Sequence, residues 1–440
     1  MEIDKKDLIP VPSSVNPRLI IIGGGFAGIK IAKGLRKAGL QVVLFDRNNY
    51  HTFQPLLYQV ATAGLEPDSI AGPLRQQLES YKDYYFRMAQ VFGVDPDKKV
   101  IFTEIGALDY DYLVIACGSK TNYFGNESIM ENSFPLKQIP QALDLRSHIL
   151  QNFEEAVITR SGEKLQSQMN VVIVGGGPTG VEVAGALGEL KKNVLPKDYP
   201  ELNLERMKIY LVEGQGRLLG GMSEVSGERA LKYLKRFDVN VRLNTLVKFY
   251  DGVKATLDDG TEIETHTLVW AAGVEGNIID GLDESAIERG RILVDHFNRV
   301  VGYDDIFAVG DVAMMKDDAH PSGHPMLAQV AMQQGDNLAH NLKKLIKHEA
   351  MKPFSYNDKG SMATIGRNKA VVDLSKNLKF GGFFAWLLWM FIHLISIIGL
   401  RNKLVIFSNW VWNYFTYDRG TRLIIRRFTP KFKIRSEQAK

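Results

Sequence analysis

The sequence predicts an α/β chain: two parallel-sheet domains, one inserted in the other, followed by a helical C-terminal segment suited to a membrane surface. Two observations carry this prediction. A strand, glycine-turn, helix, strand, acid arrangement occurs twice, and the composition shifts abruptly near residue 376.

The first arrangement opens with the apolar strand RLIII (18–22). It runs into Gly23-Gly24-Gly25-Phe26-Ala27-Gly28, then a helical pattern to about Ala38 and a second strand, QVVLFD, ending at Asp46. A G-x-G-x-x-G turn in this setting is the fingerprint of a Rossmann-type dinucleotide-binding domain. Gly23 makes the tight turn and Gly25 lets the backbone approach a pyrophosphate. Gly28 lets helix and strand pack closely, the helix N-terminus meets the phosphate charge, and Asp46 is placed to accept from a ribose hydroxyl.

The second copy runs from NVVIV (170–174) through Gly175-Gly176-Gly177-Pro178-Thr179-Gly180 into the helix VEVAGALGEL. Its acid, Glu213, closes the strand MKIYLVE after a loop-like insertion, KKNVLPKDYPELNLER. Acids at both second-strand ends favour an unphosphorylated ribose, hence NADH over NADPH; Arg217 stands against that preference.

YDYLVIACGS (110–119) and HTLVWAAGV (266–274) read as strands ending in small-residue turns that close each domain. DDIFAVGDVA (304–313) reads as a further strand ending in Gly310-Asp311, with Asp311 facing a flavin or capping a helix. Chain order then predicts a mobile tail at 1–17, an FAD-binding domain from 18–150 and 291–355, an inserted NADH-binding domain at 151–290 and a membrane-association region at 356–440. The tail has charged residues and three prolines but no apolar stretch, so it is not a secretory signal.

From Lys376 onward there are 12 Lys and Arg against 2 Asp and Glu, a charge of +10. The rest of the chain therefore sums to −6 against the overall +4, and four of the five tryptophans lie in this last segment. A basic, aromatic terminus on an acidic body suits a lipid bilayer surface. Phe383–Leu400 is 18 residues, about 27 Å as a helix, just short of a bilayer core. Basic residues flank both of its ends, and the following stretch places Ser408, Asn409, Asn413 and Thr416 on one helical face. A monotopic, interface-lying anchor is expected rather than a span.

Nothing in this pattern points to nucleic acid, and no metal-ligand cluster stands out among the nine histidines, so no metal is expected. The single cysteine, Cys117, excludes a disulfide framework and a C-x-x-C redox pair; it reads as a small buried residue.

The layout resembles the two-dinucleotide-domain flavoproteins related to pyridine nucleotide–disulfide reductases. Within them the nearest likeness is to the type II NADH dehydrogenases, which are NADH:quinone oxidoreductases that pump no protons. FDRNNYHTFQPLLYQVATAG (45–64), GGGPTGVEVAGALGEL (175–190), VGDVA (309–313) and AQVAMQQG (328–335) carry the likeness. It implies a respiratory enzyme that passes a hydride from NADH to FAD and two electrons on to a membrane quinone, ubiquinone or menaquinone. It also implies a peripheral position on the cytoplasmic side of a bacterial inner membrane, and it leaves a homodimer open.

Site roles follow from the resemblance. FAD contacts are expected from Gly23, Gly25, Phe26, Ala27, Gly28, Asp46, Arg47, Pro55, Val91, Ala116, Gly118, Gly310, Asp311, Ala328 and Gln329, with Pro55 and Leu56 closing over the flavin. NADH contacts are expected from Gly175, Gly177, Pro178, Thr179, Gly180, Glu213, Ala272 and Gly273. Glu182, read as lying in the first turn of the second glycine-loop helix, would stand near the nicotinamide. Gln329 and Gln333, at i and i+4, would line the quinone pocket.

Overall fold

The structure is a computed structural model and describes residues 8–79, 81–374, 378–417, 420–425 and 427–431. The chain divides into two compact units: residues 1–52, 72–120 and 274–358, and residues 53–71, 121–273 and 359–440.

The first unit is built on a five-stranded parallel sheet. Its order is Ile306–Ala308, Tyr112–Ile115, Arg18–Ile22, Gln41–Asp46, Tyr84–Met88. The central strand is apolar and buried from Leu19 to Ile22 because both of its faces are covered. The strand order turns back on either side of Arg18–Ile22, so the loop after that strand opens at the switch point where such sheets bind ligands. The helix Phe26–Gly34 crosses Ala328–Ile346 at close range: a Cβ on Gly34 would meet Ala339 Cβ at 2.6 Å, and one on Gly335 would meet the Ala27 carbonyl at 2.9 Å.

The second unit repeats the plan with Phe134–Pro135, Thr267–Trp270, Val171–Val174, Ile209–Val212 and Val239–Arg242, again parallel. A three-stranded antiparallel sheet, Ser361–Thr364, Ala370–Asp373 and Lys379–Gly382, also belongs to it. Two C-terminal helices follow, Phe383–Ser396 and Leu400–Thr416.

The divisions differ from those read in the sequence. Residues 121–150 join the second unit because Phe134–Pro135 pairs with its sheet. Segment 53–71 joins it too, and 274–290 returns to the first. Of the expected mobile tail, residues 1–7 lie outside the described residues. Further on, Ile9 is buried in the first unit's core and bonds the Ala107 carbonyl, while the carbonyls of Pro10 and Pro12 accept from Arg87 and Gln41. An apolar side chain and bonded carbonyls pin what composition alone read as tail. The expected insertion at 191–206 contains a helical turn, Leu195–Asp198, and Leu195 is fully buried.

Candidate functional site

Both glycine loops show the same division of labour. Gly23 and Gly175 have φ of +107° and +108°, and a Cβ on either would strike the carbonyl of Ala116 or Ala271. Gly28 and Gly180 pack so tightly that a Cβ would lie 1.9 Å from the Gly23 or Gly175 carbonyl oxygen. The middle glycines are different. Gly25 and Gly177 have ordinary extended φ of −74° and −71°, and a Cβ on either would meet no atom of the chain within 4 Å. Neither conformation nor packing demands glycine there. Each is the N-cap of a helix with no side-chain cap, at the helix end where first-turn amides have no partner within the helix itself. That cradle fits a pyrophosphate in each unit.

The acids grip these loops. Asp46 accepts from the Gly24 amide at 2.7 Å and from the Asn48 amide at 2.7 Å; Glu213 accepts in the same way from the amides of Gly176 and Gln215. Burial pushes the Asp46 carboxyl above its usual range. Each oxygen keeps a second lone pair for a ribose hydroxyl. Arg217, which stood against an NADH preference, donates to the carbonyls of Met222 and Gly220, so its guanidinium is occupied.

Two residues of the first loop's surroundings escaped sequence reasoning. His51 is buried, with Nδ1 2.9 Å from the Gly24 carbonyl and the Phe26 ring edge-on to it. That carbonyl requires the proton on Nδ1. Gln334 is also buried and accepts from the Gly310 amide at 2.7 Å, holding the turn that presents Asp311. His51 lies within the segment FDRNNYHTFQPLLYQVATAG, and Gln334 adjoins Gln333.

The other expected first-unit residues are placed as follows. Ala116 and Gly118 follow the strand Tyr112–Ile115, and Asp311 accepts from Ser119 Oγ at 2.6 Å on a 3-10 turn rather than capping a helix. Val91 is buried at a strand start and Arg47 is exposed. Ala328 and Gln329 begin the helix Ala328–Ile346. Gln333 uses both ends of its amide on the main chain of Asn357, at 2.9 and 3.0 Å, so it clamps the 357 segment. Cys117 packs against the core, and burial pushes its thiol up to about 12, far from a reactive thiolate. The expectation of no metal-ligand set meets a counter-example: a loop brings Asp317, His320 and His324 together.

In the second unit, Pro178 and Thr179 are exposed on the first turn after the second glycine loop, and Ala272 and Gly273 follow the strand Thr267–Trp270. Pro55 lies in this unit, in the 3-10 turn Gln54–Leu56, while Leu56 is fully buried and thus taken up by the core. Glu182 is the fifth residue of the helix Pro178–Asn193, in its second turn rather than its first. Its carboxyl is 8% exposed, and the Thr364 amide donates to it over a long 3.4 Å. Burial raises its pKa to about 8, against a weaker opposing pull from the Thr364 amide and the Trp389 indole.

A cleft opens beside the partners of this carboxyl. Thr364 and Trp389 line it, with Tyr58, Trp386, Trp410 and Arg367. Its wall is held by the C-terminal helices: Trp410 Nε1 donates to Gln59 at 3.0 Å, and Arg367 donates to the carbonyls of Tyr414 and Asn413. His393 stacks on Trp389 at 4.1 Å, and burial lowers its pKa to about 4, so it is a packed neutral ring.

Two asparagines of the helix pair face inward: Asn402 donates to the Ala71 carbonyl and Asn413 to that of Gly64, while Ser408 of the expected polar face is exposed. Apolar groups face outward, with Phe384 and Phe415 about three-quarters exposed and Leu400, Phe407 and Trp412 at least half exposed. The 18-residue apolar stretch breaks at Gly399, whose φ of +87° ends one helix and starts the next. Among the described residues no helix is long and apolar enough to cross a membrane.

A pair of parallel-sheet units, each with a glycine cradle and a carboxylate gripping it, defines a two-dinucleotide α/β oxidoreductase architecture. The pyridine nucleotide-disulphide oxidoreductase family matches residues 17–335, and the NDH2 C-terminal domain matches 359–417. The chain is 34% identical to the type II NADH:quinone oxidoreductase NdhA of Mycobacterium tuberculosis, covering 94% of this chain and 91% of that one. It is 29% identical to the type II NADH:quinone oxidoreductase of Staphylococcus aureus over 80% of this chain and 89% of the relative. The NDH2 structure from Plasmodium falciparum in complex with NADH shares the fold, with a TM-score of 0.86 over 93% of this chain and all of that one at 20% identity. The chain belongs to the type II NADH:quinone oxidoreductases, within the pyridine nucleotide-disulphide oxidoreductase family.

Proposed function

We propose that this chain oxidises NADH and reduces a membrane quinone, ubiquinone or menaquinone, with FAD held on the first glycine loop and NADH on the second. The observation that carries the assignment is the pair of middle glycines, Gly25 and Gly177, whose side-chain space faces no atom of the chain. The flavin, when bound, supplies the hydride acceptor and the two-electron donor. The protein's residues position and protect. Asp46 and Glu213 orient the loops and offer lone pairs to ribose hydroxyls, and Gln334 fixes the Gly310 turn.

Reduction of a quinone by NADH takes up one proton from the medium. Neither Gln329 nor Gln333 can supply it. Glu182, with a pKa near 8, holds a proton at neutral pH and adjoins the Thr364 and Trp389 walls of the cleft. We assign the cleft as the quinone approach. The outward apolar face of the C-terminal helices rests on the lipid surface, on the side that supplies NADH, the cytoplasmic face of a bacterial inner membrane.

NADH oxidation with a water-soluble quinone, compared with oxygen alone, tests this reading. Quinone-dependent turnover far above the oxygen rate is expected. Equal rates would favour a soluble flavoprotein reductase whose C-terminal face joins two copies.

A further inference from the structure

Asp317, His320 and His324 lie in the loop that joins the strand Ala313–Met315 to the helix Ala328–Ile346. One Asp317 oxygen stands 2.8 Å from His320 Nδ1, and the other stands 3.2 Å from His324 Nε2. One ligand atom from each residue falls within 4.8 Å of the other two. The loop is firmly built. The His320 amide donates to Asp317 Oδ1 at 2.7 Å, and Arg291 donates to the carbonyls of His324 and Ala313.

His324 makes this more than a polar cluster. It is 1% exposed, and neither of its ring nitrogens completes a hydrogen bond. Its contact with Asp317 has the length of a hydrogen bond but not the geometry, so a proton does not satisfy it. A buried imidazole with both nitrogens unmet is costly and calls for a partner the chain does not supply. Phe354 and Tyr356 set their ring edges against it and fix its orientation.

We propose that Asp317, His320 and His324 bind a late first-row divalent cation, Zn²⁺ being the type, with water in the remaining position. Two imidazoles and a carboxylate are the donors such ions prefer, and three protein ligands leave one tetrahedral position open. His320 and Asp317 are about a third exposed and give the ion a way in; the Asp317 carboxylate offsets the nearby Arg291 charge. A bound ion would tie down the loop that leads into Ala328 and Gln329.

The test uses the FAD-loaded protein, stripped with a chelator and freed of any affinity tag, titrated with Zn²⁺ alone by calorimetry. One equivalent per chain is expected, with micromolar affinity or tighter. His320→Ala and Asp317→Asn should each weaken it by at least about tenfold while flavin content stays unchanged. These two positions are chosen because His324→Ala would disturb a buried site. Absence of saturable binding would overturn the proposal, as would an affinity that survives both substitutions.

Discussion

The side-chain oxygen of Gln334 accepts from the Gly310 amide at 2.7 Å, joining the helix that starts at Ala328 to the turn that carries Asp311. Both partners are buried. Gln334→Ala leaves the amide unmet, a cost of about 1–3 kcal/mol, and frees the turn. Faster loss of FAD on gel filtration and a lower Tm are expected. Gln329→Ala, which leaves this bond in place, should retain more flavin than Gln334→Ala. Equal flavin content in the two variants would contradict the role given to Gln334.

The glycine loops separate fold from ligand. Gly28→Ala should lower the Tm of flavin-free protein, because the new Cβ meets the Gly23 carbonyl. The Cβ of Gly25→Val meets nothing in the chain, so apo stability should fall less than in Gly28→Ala, by about 1 kcal/mol for the poorer N-cap, while FAD retention is lost. Gly177→Val should keep a full flavin spectrum and lose reduction by NADH. A Gly25→Val protein that stays yellow would sink the assignment of FAD to the first loop.

These loops were legible in the sequence because glycine spacing, an apolar strand before and an acid after are all local. Other features were not. His51 and Gln334 act through backbone groups 27 and 24 residues away, respectively, and spacing does not reveal which carbonyl or amide a side chain will find. The boundary near residue 150 was misplaced because a two-residue strand, Phe134–Pro135, decides which sheet the segment joins. The C-terminal stretch showed its apolar character but not its break at Gly399, nor that Asn402 and Asn413 turn inward to meet carbonyls.

Glu182 should leave a pH signature. Its folded pKa is raised to about 8 from 4.5, so the folded state holds its proton where the unfolded state has released it. Stability attached to this group is therefore full below about pH 4.5 and is lost as pH rises toward 8. The wild type should lose stability relative to Glu182→Gln across that window, by an amount on the order of a few kcal/mol. If the group also delivers the quinone proton, wild-type kcat should fall above about pH 8. A Tm difference between the two proteins that is flat with pH would mean that Glu182 is not the group titrating.

Nucleotide choice is expected to follow from Glu213 and Arg217. The carboxylate repels a 2′-phosphate, and the guanidinium is held by the carbonyls of Met222 and Gly220. A strong preference for NADH in kcat/KM is expected. Glu213→Gln should narrow it, with some loss of NADH affinity because the loop amides of Gly176 and Gln215 then share a weaker acceptor. Equal wild-type kcat/KM for NADH and NADPH would defeat this.

The proposed membrane attachment would use the outward apolar face of the C-terminal helices. Removing residues 380–440 is a poor probe, because Trp389 and Trp410 are core residues there and Trp389 adjoins Glu182. Phe384 and Phe415 are better: each is about three-quarters exposed, so Phe384→Asp with Phe415→Asp leaves the fold intact. Burying a phenylalanine is worth about 1.5–3 kcal/mol, and placing a carboxylate there adds repulsion from anionic lipid. Basic residues contribute only about 1 kcal/mol each, and salt screens them, whereas apolar insertion is not screened. High salt alone should therefore leave the wild type on membranes, and detergent should release it. The double variant should stay soluble without detergent and keep its flavin. It should also turn over a water-soluble quinone near the wild-type rate while losing most of its turnover with quinone embedded in vesicles. Release of the wild type by salt, or a double variant that still sediments with vesicles, would show that this face is not what holds the enzyme to lipid.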